Sequence, residues 1–220
     1  GKIYIYIFLF FTLMSLHNLK YSKFIDDFFV VKKIIFKSDI EESIKKEIFS
    51  SLNNLQGNNI FSLSTKNVLN KINKFNIINE YKVKKHYPSS IEVNLKETKI
   101  LAYFIENNSK VFLGENGKKI KKTKNINKDL PLIVGLVDIN KFLILKKKLN
   151  NNGFNLGQFK KFYFFKSNRW DLIYQDGLIV KLPIDNIDNS LKKLKQIIES
   201  LNLQNTKIID FRIKNKIIFS

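Results

Sequence analysis

Residues 83–97, VKKHYPSSIEVNLKE, decide the fold of the first half of the chain, because they have the pattern of a β-hairpin. From residue 91 to residue 97, apolar residues alternate with polar ones, which is typical of a strand with one buried face. The preceding Tyr87-Pro88-Ser89-Ser90 is rich in turn-forming residues. We therefore predict two strands, joined by this turn, over residues 81–85 and 91–97.

The region before the hairpin predicts one strand and two helices. Residues 29–37, FVVKKIIFK, are rich in Val, Ile and Phe and indicate a strand. A capping box that begins at Ser38 predicts a helix, whose apolar residues recur at helical spacing until Gly57 ends it. Ser64 is predicted to cap a second, shorter helix. The order strand, helix, helix, strand, strand predicts a small α+β unit over residues 28–97.

The N-terminal residues 1–20 are predicted to be a transmembrane signal-anchor. No charged residue lies between Ile3 and Leu19. A helix over residues 3–19 spans about 25 Å, slightly less than the roughly 30 Å hydrocarbon core of a bilayer. No small-residue cleavage site follows, which favours a retained anchor over a cleaved signal peptide. Because the chain begins with Gly1, we expect further residues upstream.

Residues 98–220 are richer in strands and predict a mostly antiparallel β domain with two helices. The polar run of residues 121–128 is predicted to be an exposed loop. The helices are predicted around residues 139–149 and 187–203. The strands are predicted at residues 101–105, 111–113, 159–165, 170–174, 178–182, 208–213 and 216–219. The fold class is therefore α+β: a transmembrane helix, a β-α-α-β-β unit and this β domain.

The composition limits the chemistry that the chain can perform. The net charge is +20, yet the lysines are spread over nearly every segment. Nucleic-acid binding stays an alternative, and it would require one contiguous basic face and a steep salt dependence. The chain has no cysteine, and its two histidines, His17 and His86, are far apart in sequence. We find no catalytic or metal-ligand constellation, and we predict no enzyme activity, no metal and no cofactor.

Five motifs occur in order along the chain. They are Gly57-Asn58-Asn59-Ile60-Phe61, the basic hairpin that closes on Glu97, Leu130-Pro131-Leu132-Ile133-Val134-Gly135, Arg169-Trp170-Asp171-Leu172 and Ile209-Asp210-Phe211-Arg212. Together they resemble the FtsQ/DivIB family of bacterial cell-division proteins. In this resemblance, residues 28–97 are a POTRA domain and residues 98–220 the family's β domain. Ser38, where the family usually has glycine, and Lys99, where it has proline, depart from the pattern.

The resemblance implies a non-enzymatic scaffold of the divisome. It implies a single-pass type II protein of the inner membrane, with its C-terminal domains in the periplasm at the division septum. It also implies that the chain binds the FtsB/FtsL complex and links early division proteins to septal peptidoglycan synthesis. The alternative is a POTRA-containing factor for outer-membrane protein assembly or secretion.

The last predicted strand is the candidate partner-binding site, because a strand at a sheet edge can pair with a strand of another protein. The alternative is that lysines simply protect this edge from aggregation. Arg169 is the candidate contact for an acidic group of the partner, and Trp170 is predicted to lie in the core. We interpret Asp210 and Arg212 as structural. The candidate residues of the strand are Ile213, Lys214, Asn215, Lys216, Ile217 and Phe219, with Ile213, Ile217 and Phe219 on one face.

Overall fold

The computed structural model describes residues 2–16, 27–121, 129–200, 203 and 206–220. The chain divides into two compact units, Gly1–Glu97 and Thr98–Ser220. Each unit contains its own β-sheet, with three strands in the first unit and nine in the second. Residues 122–128 of the predicted polar loop lie outside the described residues.

Helix α1 (Lys2–Leu16) covers most of the apolar N-terminal run. Within the described residues, no helix has both the length and the apolar character needed to cross a bilayer. Residue 1 and residues 17–20, which complete the predicted anchor, lie outside the described residues. The transmembrane anchor therefore stays a prediction.

The sheet of the first unit confirms the predicted hairpin. Its strands are β1 (Lys33–Ser38), β2 (Ile78–His86) and β3 (Ser90–Glu97), in the order β1-β3-β2. The central β3 pairs antiparallel with β2 and parallel with β1. Strand β1 begins later than predicted, because the backbone from Phe29 to Val31 bonds to the loop of residues 57–60 instead.

Two helices, α2 (Glu42–Leu52) and α3 (Thr65–Ile72), lie between β1 and β2 and complete the predicted order. Their apolar stripes bury residues such as Ile48 and Val68. On β3, Ile91, Val93 and Leu95 are buried, as their alternation predicts. The predicted capping box is wrong: Ser38 ends β1, and its Oγ accepts a hydrogen bond from the N–H of Ile40 at 2.9 Å.

The second unit is built on a nine-stranded sheet with the order β12-β11-β10-β9-β8-β7-β4-β5-β6. Within the described residues, five of its neighbouring strand pairs are antiparallel and three are parallel, so the sheet is mostly antiparallel as predicted. The strands are β4 (Ile100–Glu106), β5 (Ser109–Gly114), β6 (Lys119–Ile120), β7 (Leu132–Gly135), β8 (Phe159–Phe164), β9 (Trp170–Tyr174), β10 (Ile179–Lys181), β11 (Ile208–Asp210) and β12 (Ile218–Phe219).

Sequence analysis did not predict strands β6 and β7. Strand β7 joins the two halves of the sheet, because it pairs in parallel with β4 on one side and β8 on the other. Its four residues come soon after a polar run and directly after Pro131. A segment this short gives too little alternation to identify a strand from sequence.

Both helices of the second unit, α4 (Ile139–Asn151) and α5 (Ile187–Ser200), contribute to one apolar cluster with the sheet. Phe142 of α4 lies edge-on to Phe162 of β8, with ring centroids 5.4 Å apart. Trp170 is 3% exposed and lies 4.5 Å from the Phe164 ring, which confirms its prediction as a core residue. The predicted helix over 187–203 is described as far as Ser200.

Gly135 ends β7 at a point where the backbones of β7 and β8 approach each other closely. Its φ is +95°, and a Cβ at this position would overlap the carbonyl oxygen of Phe164. Gly177 has a similar φ of +97°, but a Cβ there would meet nothing within 4 Å. The two glycines therefore share the conformational requirement, and only Gly135 adds a steric one.

We predict that Gly135→Ala lowers the free energy of unfolding of the second unit by about 3 kcal/mol or more, because strain and backbone overlap add together. The control Gly177→Ala should cost only about 1 kcal/mol, from positive φ alone. Denaturant titration followed by fluorescence of Trp170, the only tryptophan, measures both. Equal losses in the two variants would contradict the close approach at β7.

On β3 of the first unit, the carboxylate of Glu92 collects three polar partners. Asn94 Nδ2 donates to Oε1 at 2.8 Å, and Lys37 Nζ lies 3.1 Å from Oε2. His86 Nε2 lies 3.4 Å from Oε2. The hydrogen bond from Asn94, followed by that from Lys37, lowers the pKa of Glu92 from 4.5 to about 2.

We predict that Glu92→Gln weakens the acid dependence of the first unit. A lowered carboxyl pKa stabilises the fold above about pH 4.5, and this stabilisation is lost as the pH falls toward 2. Calorimetric melting temperatures between these pH values should therefore fall less steeply in the variant. The control Glu80→Gln should leave this slope nearly unchanged, because it removes only an exposed and therefore weak ion pair with Lys96. An unchanged slope in Glu92→Gln would refute this role.

Candidate functional site

Strand β12 lies at the end of the nine-stranded sheet. It pairs antiparallel with β11, with Phe219 opposite Ile209 and Ile218 opposite Asp210. Within the described part of the chain, no strand pairs with its other side. Ile218 and Phe219 are 42% and 44% exposed, so both residues are accessible to solvent.

The hydrogen bonds at the end of β12 fix the direction of its backbone groups. The N–H of Ile208 donates to the Ser220 carbonyl at 2.9 Å, and the N–H of Ser220 donates to the Ile208 carbonyl at 3.1 Å. In an antiparallel ladder, the pair next to such a doubly bonded pair makes no mutual hydrogen bonds. The N–H and C=O of Phe219 therefore point away from β11, toward the open side of the sheet.

The segment before β12 corrects the predicted strands over 208–213 and 216–219. Strand β11 ends at Asp210, and β12 contains only Ile218 and Phe219. Between them the chain turns: Asn215 has a φ of +62°, and the N–H of Lys216 donates to the Ile213 carbonyl at 3.1 Å. A residue with positive φ interrupts an extended strand.

The site residues Ile213, Lys214, Asn215 and Lys216 are therefore exposed on this turn rather than on a strand. The predicted common face of Ile213, Ile217 and Phe219 is wrong, because strand alternation does not extend through a turn. Ile217 is half-buried and packs against the main apolar cluster. Whether these residues bind a partner stays a prediction.

Arg169 lies immediately before β9 and is held by its neighbours. Its guanidinium lies 4.4 Å from the centre of the Phe165 ring, and its Nε lies 3.3 Å from Asp171 Oδ1. The side chain is 23% exposed, so it is less accessible than sequence analysis suggested. Burial raises the pKa of the Asp171 carboxyl, and the charge of Arg169 opposes this effect.

A second ion pair, which sequence analysis did not predict, lies at the end of β11. Arg212 donates to both carboxylate oxygens of Asp210, at distances from 2.5 to 2.9 Å, and its backbone N–H adds a bond at 2.9 Å. The strand ends at Asp210, so the Arg212 side chain can fold back on it. These hydrogen bonds lower the pKa of Asp210. Lys181 of β10 lies in register between Asp210 and Asp171.

A groove of about 570 Å³ runs between the turn and α5, near the start of β9. Its apolar lining includes Ile184, Phe211 and Ile217. No salt bridge within the described residues involves Lys193, Lys214 or Lys216. The groove is therefore an apolar channel with an excess of positive charge. Its charged lining residues are Arg169, Lys193, Arg212, Lys214, Lys216 and Asp185.

Sequence analysis identified the turn and Arg169 but not the other walls of this groove. Lys193 and Ile184 belong to α5 and the loop before it, and only the fold brings them beside residues 211–217. No local sequence signal marks them. Among the residues that the structure describes, no group of His, Asp and Glu side chains could hold a metal ion.

Comparison with known proteins identifies the family. Residues 102–212 match the family described as Cell division protein FtsQ/DivIB, C-terminal, and residues 29–98 match the POTRA domain, FtsQ-type. The chain belongs to the FtsQ/DivIB family. The two matches cover most of both units, but residues 213–220 lie beyond the matched range.

Relatives among curated proteins agree with this assignment. FtsQ of Rickettsia bellii is 29% identical over 181 residues, which are 77% of this chain and 64% of that protein. DivIB of Clostridium tetani is 32% identical over 166 residues, which are 74% of this chain and 58% of that protein. The chain thus spans less than two thirds of the length of these relatives.

A solved structure, the major extracytoplasmic domain of the trans isomer of DivIB from Geobacillus stearothermophilus, is also similar. It is 22% identical and covers 49% of this chain and 97% of that one, with a TM-score of 0.34. This similarity is too low to support any further inference.

We predict that Arg212→Gln destabilises the second unit by about 1–3 kcal/mol, because it leaves the largely buried Asp210 carboxylate without its main partner. The loss should diminish at low pH, where Asp210 is protonated in both proteins. Denaturant titration followed by Trp170 fluorescence measures it. Lys214→Gln removes an exposed charge from the same groove and should change little. Equal stabilities of the two variants would show that the pair is not structural.

Proposed function

We propose that this FtsQ/DivIB family member is a non-enzymatic scaffold of the divisome that binds the FtsB/FtsL complex by strand addition to β12. The observation that carries the proposal is the outward direction of the Phe219 N–H and C=O at the open end of the sheet. Main-chain groups in this position can hydrogen-bond a partner strand at low conformational cost.

The neighbouring groove supports the proposal, because it can receive side chains beyond the paired strand. Its apolar lining fits an aliphatic or aromatic anchor of the partner. Lys193, Lys214 and Lys216, which form no ion pair with any residue that the structure describes, favour acidic side chains nearby. Arg169 and Arg212 are less free to bind an acidic group of the partner, because each already contacts an aspartate. The partner segment should thus be extended, partly apolar and acidic.

The apolar N-terminal run supports a membrane location for this scaffold. We propose that residues 1–20 anchor the chain in the inner membrane as a single-pass type II protein at the division septum. The POTRA domain and the β domain then lie in the periplasm, where they link early division proteins to septal peptidoglycan synthesis. The absence of charge from Ile3 to Leu19 is the basis of this step.

The outer-membrane assembly alternative receives less support. Both family matches are to FtsQ-type domains, and the named relatives are cell-division proteins. A factor for outer-membrane assembly would be expected to bind unfolded barrel strands at the same edge. Cross-linking through β12 in cells separates the two functions: capture of FtsB supports the scaffold, and capture of unfolded outer-membrane proteins supports the alternative.

We predict that Phe219→Pro weakens binding to the FtsB/FtsL complex by at least about tenfold while leaving the melting temperature nearly unchanged. Proline removes the outward N–H, and β12 does not use this group to pair with β11. Titration calorimetry on the full chain in detergent measures the affinity. Phe219→Ala is the matched control, because it removes the side chain and keeps the N–H.

Equal affinities of Phe219→Pro and Phe219→Ala would contradict strand addition, since the two variants differ in the backbone donor. Ile218→Pro tests which backbone N–H groups of β12 face β11. Ile218 lies opposite Asp210 as a hydrogen-bonded pair, so this change should lower the melting temperature.

A further inference from the structure

Four aromatic side chains form a continuous ladder on the first unit, and three of them are exposed. Phe28 lies edge-on to Phe29 at 5.2 Å, Phe29 lies 4.8 Å from Phe61, and Phe61 stacks on Tyr87 at 5.0 Å between ring centroids. Phe28, Phe61 and Tyr87 are 48%, 58% and 57% exposed. Single exposed aromatic residues are common, but a contiguous set of this kind is typical of an interaction site.

The backbone holds the ladder together, because three segments converge here. The N–H of Ile60 donates to the Phe29 carbonyl at 2.8 Å, which joins the segment before β1 to the loop of residues 57–61. The N–H of Lys32 donates to the Ser89 carbonyl at 2.8 Å, which joins the same segment to the β2–β3 turn. The ladder therefore lies at the end of the unit where β1 begins, opposite Ser90.

Basic side chains accompany the ladder. Lys32 and Lys33 are exposed and follow Phe29 after two valines, and Lys85 Nζ lies 3.5 Å from the Phe61 carbonyl oxygen. Asp27 is the described acidic residue next to the ladder in sequence. Exposed aromatic rings flanked by lysines are the composition of protein surfaces that lie in the interface of an anionic bilayer.

The position along the chain decides which surface is available. When fully extended, the chain from Leu16, the end of α1, to Phe28 spans at most about 40 Å. If α1 is held in a membrane, the ladder cannot leave the neighbourhood of that bilayer. Tethering of this kind raises the local concentration of lipid surface far above that of any free protein.

We propose that the Phe28-Phe29-Phe61-Tyr87 ladder docks the POTRA domain onto the anionic surface of the membrane that holds the anchor. The rings enter the headgroup region, and Lys32, Lys33 and Lys85 bind lipid phosphates. The inference rests on the membrane anchor of the proposed function and is independent of partner binding at β12. It adds a second, weaker membrane contact to the tether and limits the orientations of the POTRA domain.

The absence of cysteine allows a direct measurement, because single cysteines can be spin-labelled without any background. The full chain is reconstituted into vesicles of phosphatidylcholine with phosphatidylglycerol, or of phosphatidylcholine alone. Labels at Tyr6→Cys, Ser62→Cys and Ser50→Cys report the anchor, the ladder and the exposed face of α2. Power saturation with oxygen and a water-soluble nickel complex gives the depth of each label.

We expect the label at position 62 to lie at headgroup depth in anionic vesicles and the label at position 50 to stay in water. Phe61→Ser with Tyr87→Ser should return position 62 to water, and Phe49→Ser, an aromatic change on α2 outside the ladder, should not. Lys32→Gln with Lys33→Gln should reduce the ratio of docked to undocked POTRA domain, reported by the label at position 62, by at least about tenfold in anionic vesicles. The control pair is Lys66→Gln with Lys74→Gln.

A label at position 62 that stays in water while position 6 lies in lipid would overturn this inference and leave the anchor intact. A label at position 6 that stays in water would overturn the anchor and the inference together. Protection of position 62 from both oxygen and the nickel complex only after a division protein is added would identify a protein partner instead and would also overturn the lipid contact.

Discussion

The reciprocal hydrogen bonds between Ile208 and Ser220 are the constraint on which the candidate site depends. They set the register of β12 against β11 and thereby decide which backbone groups are satisfied within the sheet. Hydrogen-bonded and non-hydrogen-bonded residue pairs alternate along two antiparallel strands. Because Ile208 and Ser220 form a hydrogen-bonded pair, the N–H and C=O of the next residue, Phe219, face outward. Backbone groups of this kind must find water or another strand.

The charged groups near this edge follow a simple division. Asp171 and Asp210, both largely buried, each contact an arginine close in sequence, and Lys181 lies in register between them. Each arginine is thus already paired with an aspartate two residues away. The lysines around the groove have no such partner among the described residues, so they can respond to an incoming acidic segment. Arginines paired with aspartates and lysines without an ion-pair partner among the described residues thus lie at the same end of the domain.

Much of the fold follows from local patterns. The alternation from residue 91 to residue 97 and the turn at Pro88 predict the POTRA hairpin, and the spacing of apolar residues predicts the helices that cover it. Strand β7 could not be predicted, because it is short and gains its strand character from β4 and β8, which are distant in sequence. The turn at Asn215 and the fold-back of Arg212 likewise depend on where β11 ends. Local propensity does not encode that end.

Hydrogen exchange of individual amides tests the account most directly. Nuclear magnetic resonance on the chain labelled with ¹⁵N at Phe and Ile resolves Phe219 from Ile218. The account predicts that in the free protein the Phe219 amide exchanges rapidly and the Ile218 amide slowly, and that the FtsB/FtsL complex protects Phe219 as well. A Phe219 amide that is already protected in the free protein, or that gains no protection in the complex, would contradict an open edge that accepts a partner strand.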